Sequence, residues 1–92
     1  MNSRTTERFR KAYGELPPTV RRQAKAAYRL FKQNPNHPSL HFKRIHRTKP
    51  VYSIRVGRDY RALGALDEND LIWFWIGSHA DYDKLLSQLS RS

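Results

Sequence analysis

The chain contains no cysteine, which excludes disulfides, thiolate nucleophiles and cysteine-based zinc sites and fits a reducing compartment. Glycine is scarce: the 4 glycines stand apart at Gly14, Gly57, Gly64 and Gly77, so there is no glycine-rich loop to cradle the phosphates of a nucleotide. No stretch approaches the ~20 apolar residues of a membrane span, and the opening Met1-Asn2-Ser3-Arg4-Thr5-Thr6 lacks the apolar core of a signal peptide. A soluble cytoplasmic protein without a membrane partner is expected. Acidic residues are also few, 8 against 18 Lys and Arg, for a formal net charge of +10. That excess points to a polyanion, because neutralising phosphates releases counterions and supplies sequence-independent affinity. A solvated basic surface, or one covered by an acidic protein, is the alternative.

What remains is enough for one small domain over residues 1–92, with 38% hydrophobic and 12% aromatic residues. From Thr6 to Leu16 the apolar residues Phe9, Ala12, Tyr13 and Leu16 follow a helical period, with Thr5 or Thr6 as cap. Pro17-Pro18 ends that helix and opens a second, whose apolar face carries Val20, Ala24, Ala27, Tyr28 and Phe31. The two are expected to form a helical hairpin. The breakers from Asn34 to Ser39 stop the second helix, and the weakly alternating Leu40–Ile45 leads to three clearer strands at Val51–Val56, Tyr60–Leu66 and Leu71–Ile76. After Gly77, Ser78 can cap a final helix with the stripe Tyr82, Leu85, Leu86 and Leu89. The fold class is therefore α+β, with an N-terminal helical hairpin packed on one face of a mostly antiparallel three- to four-stranded sheet, followed by a C-terminal helix. Trp73, Phe74 and Trp75 are placed in a central strand.

Alternation puts Ser53 and Arg55 on the face opposite Tyr52, Ile54 and Val56, a face expected to be open. The turn at Gly57-Arg58-Asp59 brings Arg61 beside the end of that strand, and His79 follows the third strand. Guanidinium groups match phosphate oxygens and imidazole exchanges protons near neutrality, so the group suggests work on a phosphate. Solvated sheet arginines and a loop histidine are the simpler alternative. His37 and His41 are four residues apart, but Pro38 breaks the helix that would align them and no third ligand is near in sequence, so no metal is expected. Trp73 and Trp75 are read as sharing one strand face, where they belong to the core or stack on bases.

These residues, taken in order, resemble the RelE/ParE superfamily of bacterial type II toxin-antitoxin toxins. The likeness runs from Thr5 to about Leu86 and rests on Leu16-Pro17 at the hairpin bend, Val51-Tyr52-Ser53-Ile54-Arg55-Val56-Gly57, Asp59-Tyr60-Arg61-Ala62-Leu63 and Ile76-Gly77-Ser78-His79. The resemblance implies a toxin held by a cognate antitoxin, and in its RelE-type branch an endoribonuclease that cuts messenger RNA on the ribosome without a cofactor. It assigns catalytic roles to Arg61, Arg55 and His79, with Tyr82 nearest to the family's C-terminal aromatic residue. Lys43, Arg44 and Arg58 are the candidate RNA contacts. Ser53 stands where some relatives carry lysine, and the N-terminal strand usual in the family has almost no sequence here. The ParE-type branch implies instead a protein that binds and poisons DNA gyrase; a third expectation is an inactive relative that only binds its antitoxin or nucleic acid.

Overall fold

A computed structural model describes residues 2–89 of the chain. Its elements run β1 (Asn2–Thr5), α1 (Glu7–Gly14), α2 (Pro18–Gln33), a 3-10 turn at Pro38–Leu40, β2 (Lys43–Arg44), β3 (Val51–Val56), β4 (Tyr60–Asp67), β5 (Asp70–Ser78) and α3 (His79–Leu89). The strands make one five-stranded sheet in the order β1-β5-β4-β3-β2. The α+β class and the antiparallel β3-β4-β5 meander are as expected. The strand count is higher, because β1 pairs parallel to β5.

The first helix starts where Thr6 Oγ1 accepts from the Phe9 amide at 3.0 Å, the geometry of an N-cap. Proline at the first position of α2 suits the helix start, where its missing N–H is not required. The buried residues of α2 are Val20, Ala24, Ala27 and Phe31. The alanines let the helix approach the sheet, where Ile54, Val56, Ala62, Leu71, Trp73 and Ile76 complete the core. Phe31 is the centre of an aromatic group, edge-on to Phe42 at 5.1 Å and to Trp73 at 5.3 Å between ring centroids.

β1 is polar throughout, and its place depends on hydrogen bonds. The Trp73 indole donates to Ser3 Oγ at 2.8 Å, and the Tyr28 hydroxyl donates to the Ser3 carbonyl at 3.2 Å. The expected strand over Leu40–Ile45 shrinks to Lys43–Arg44, because Leu40 is buried at the end of a 3-10 turn and His41 takes a left-handed conformation, φ 47°.

β5 lies inside the sheet as expected, between β1 and β4, but the two tryptophans do not share a face. Leu63 pairs with Trp75 and Gly64 with Trp73. Adjacent residues of β4 point oppositely, so their partners do too; Phe74 is the extra residue of a β-bulge. Trp73 is buried in the helix-covered core, while Phe74 and Trp75 are half-buried. Gly64 is fitted to this arrangement: a Cβ there would lie 2.9 Å from Trp73 Cε3.

The expectation that the Arg55 face is open is also corrected. The helix α3 covers part of it, burying Ser53, Leu63 and Tyr82 to 1%, 0% and 4% exposure. Among the described residues no helix is long and apolar enough to cross a membrane.

Candidate functional site

Three strands deliver one row of residues to this second face. Arg55 pairs with Arg61 across β3 and β4, and Arg61 pairs with Gly77 across β4 and β5. Cross-strand partners share a face. Gly77 cannot carry a side chain here without a clash, since a Cβ would meet the Trp75 ring at 2.7 Å. Two residues later the chain turns into α3. The His79 amide donates to the Asp59 carbonyl at 2.7 Å, fastening the helix start to the β3–β4 turn, and Ser78 Oγ accepts from the Asp81 amide at 3.2 Å as the expected cap.

One helical turn places Tyr82 beside His79, with ring centroids 5.9 Å apart. Arg61 Cζ lies 5.9 Å from the centroid of the Tyr82 ring, on the cation–π scale of distance, and one Arg61 Nη donates to the Tyr60 carbonyl at 3.0 Å. The Tyr82 hydroxyl donates to Ser53 Oγ at 3.4 Å. Thus Arg61, His79 and Tyr82 are assembled into one cluster, with His79 Nδ1 3.1 Å from Asp83 Oδ2. Ser53, which the family resemblance sets at a lysine position of some relatives, is here a buried partner of the tyrosine hydroxyl.

Other expected site residues are arranged differently. Arg55 shares the row, but its Nε donates to the Gly57 carbonyl at 3.1 Å. With Arg58 it lines a separate cleft of about 430 Å³ against Gln23 of α2 and Ser39. Lys43 pairs with Ser53 and so belongs to the Arg61 face, exposed at the short strand β2. Arg44 pairs with Tyr52 on the opposite face, and its guanidinium donates to the carbonyls of His46 at 3.1 Å and Thr48 at 3.2 Å. It fastens its own loop. Among the described residues no three His, Asp or Glu side chains are grouped so as to hold a metal ion.

Sequence reasoning missed Asp59, Asp83 and the Tyr82–Ser53 contact. The four-residue spacing of His79 and Asp83 on a helix was a usable signal. Nothing in the linear sequence pointed to the other two, which join segments through the tertiary fold.

A second feature lies between α1 and α2. Phe9, Tyr13, Ala24 and Tyr28 line an apolar groove of about 400 Å³, with Arg10, Lys25 and Arg29 also on its walls. Apolar floor and cationic rim are the complement of an acidic amphipathic segment.

A family model described as a ParE-like toxin domain matches residues 18–84, a span that holds every member of the Arg61 cluster. No curated protein sequence gives a match. Among solved structures, the chain is similar to the RelE–RelB complex of the archaeon Pyrococcus horikoshii OT3, with 16% identity, a TM-score of 0.67 and coverage of 85% of this chain and 93% of that one. The RelB–RelE antitoxin–toxin complex from Methanococcus jannaschii gives 22% identity, a TM-score of 0.66 and coverage of 88% and 95%. A YoeB/ParE toxin from Agrobacterium tumefaciens gives 13%, 0.67, and coverage of 86% and 99%. At these identities the likeness to solved structures is one of fold.

Proposed function

The chain belongs to the ParE-like toxin domain family, within the RelE/ParE superfamily, and from that premise we propose that it is the toxin of a toxin-antitoxin pair, acting in the cytoplasm as a ribosome-dependent endoribonuclease. The observation that carries the ribonuclease reading is the grouping of Arg61, His79 and Tyr82 on one sheet face. In the proposed reaction the RNA 2′-oxygen loses its proton to a base on the RNA or ribosome and bonds to the adjacent phosphorus. The bond from phosphorus to the 5′-oxygen breaks, leaving a 2′,3′-cyclic phosphate and a 5′-hydroxyl. Arg61 offsets the extra negative charge as the phosphate becomes five-coordinate. His79, half-exposed at the helix start, delivers a proton to the departing 5′-oxygen. Tyr82 is buried with its hydroxyl engaged by Ser53, which suits a positioning residue whose ring supports Arg61. Lys43, on the same face, and Arg58, with Arg55 in the adjoining cleft, contact flanking phosphates. Induction in cells followed by early transcript mapping tests this: cuts in phase with codons are expected. DNA breaks with intact transcripts would instead place the chain with gyrase poisons, and neither result would leave an antitoxin-binding relative without its own activity.

The antitoxin is the second part of the proposal, supported by the groove between α1 and α2 and by the net charge of +10. An acidic amphipathic segment is the fitting occupant, ordered as it binds. Replacing Lys25 and Arg29 together by glutamate is expected to slow association with the antitoxin by about tenfold or more at low salt, with a smaller difference at high salt. Stopped-flow binding at two ionic strengths measures this. Unchanged rates would move the antitoxin to another surface.

A further inference from the structure

Three of the 4 histidines, His37, His46 and His79, are held through Nδ1 in two different ways. His37 Nδ1 accepts from the Ser39 amide at 3.2 Å, and His46 Nδ1 accepts from the amides of Thr48 at 3.2 Å and Lys49 at 3.0 Å. Both rings therefore carry the neutral-state proton on Nε2. His79 is opposite: its Nδ1 lies 3.1 Å from Asp83 Oδ2, and an ionised carboxylate can only accept. The proton must be on Nδ1, and Nε2 is left as the nitrogen that can exchange a proton with a ligand.

We propose that Asp83 is a positioning residue for His79: it keeps a proton on Nδ1, so that the imidazolium gives its Nε2 proton to the departing oxygen of the RNA and is left as the Nδ1–H tautomer. The inference deepens the ribonuclease reading and, for its catalytic consequence, rests on it. The backbone supplies the remaining restraint. The bond from the His79 amide to the Asp59 carbonyl fixes where the residue begins, the Tyr82 ring stands against one side of the imidazole, and Asp83 fixes the rotation of the ring one turn along α3. The same carboxylate supplies negative charge in the first turns of α3, the end of a helix that favours an anion. Arg61 completes the surroundings from β4, over the Tyr82 ring. Both His79 and Asp83 are substantially exposed, with side chains at 48% and 62%, and an exposed pair contributes little to stability. Removing Asp83 therefore leaves a folded protein in which the state of His79 can be read.

The test compares the full chain with Asp83→Ala by nitrogen-15 NMR of the imidazoles, at a pH where they are neutral. In the unaltered protein His79 is expected mainly as Nδ1–H, with His37 and His46 as Nε2–H internal references. In Asp83→Ala His79 should shift toward Nε2–H while the references stay fixed. Cleavage of ribosome-bound messenger RNA should fall by about tenfold, a fraction of the ~10²–10⁴ a general acid supplies. The loss should shrink for an RNA whose leaving group needs no protonation. A His79 that is mainly Nε2–H in the unaltered protein, or is unmoved in Asp83→Ala, overturns the tautomer assignment. A moved tautomer with unchanged cleavage overturns the role in the reaction. If the tautomer moves as expected but the unaltered protein cuts no RNA, the positioning of His79 by Asp83 is supported and the ribonuclease reading is what fails.

Discussion

Arg61→Ala is expected to lower RNA cleavage, and with it toxicity, by ~10²-fold or more while the protein stays folded. The charge that develops on a five-coordinate phosphate requires a preorganised cation, and Arg61 is the candidate for it. Its chain position is set by a register shared with both neighbours, Arg55 in β3 and Gly77 in β5. Its guanidinium is held by the Tyr60 carbonyl and the Tyr82 ring. These contacts are reached by a partly exposed side chain, so their loss should cost on the order of 1 kcal/mol of stability. Arg61→Lys should recover only part of the activity, since it keeps the charge but loses the planar fork that binds two phosphate oxygens at once. Single-turnover cleavage on programmed ribosomes, read beside a thermal melt, separates the two effects. Full cleavage by a folded Arg61→Ala protein would remove Arg61 from the reaction, whereas no cleavage by the unaltered protein would leave the gyrase-binding or purely antitoxin-binding alternatives.

The sheet was legible in the sequence where one face is apolar and the other is not. In Val51–Val56 the alternation identifies the face of Ile54 and Val56, and the structure buries those residues against α2. The same rule fails for β1, because Asn2–Thr5 has no apolar alternation to read; the strand is held by the backbone of β5 and by Trp73 and Tyr28. It fails again at Phe74, where the unbroken run Leu71–Ile76 conceals a bulge that reverses the faces of Trp73 and Trp75. In the site, alternation places Arg55 on its face and the turn at Gly57-Arg58-Asp59 brings Arg61 beside it, and the structure pairs the two. Alternation cannot say that the Arg55 guanidinium turns to the Gly57 carbonyl, since a long flexible side chain is directed by what lies at its tip. The helix start at His79 was legible from Ser78, whereas the contact of Tyr82 with Ser53 spans 29 residues and follows from packing.

The largest effect on stability is expected at Phe31. Phe31→Ala removes a ring that is 2% exposed and meets Phe42 and Trp73 edge-to-face, so the loss combines burial, a cavity and two aromatic contacts. Such truncations cost about 3–5 kcal/mol, against a total stability on the order of 5–15 kcal/mol for a domain. For a chain of this length the melting temperature should fall by roughly 12–30 °C. Phe31→Leu, which keeps most of the volume, should lose clearly less. The consequence reaches the site through β5: Trp73 packs on Phe31, and the same strand runs on to Gly77 and the start of α3 at His79. Activity should therefore fall in proportion to the unfolded fraction and recover on cooling toward the temperature of greatest stability, unlike the loss in Arg61→Ala. Urea unfolding gives the decisive number. A midpoint lowered at unchanged slope is expected, and a midpoint within the error of the unaltered protein would mean that Phe31 is not the centre of the core.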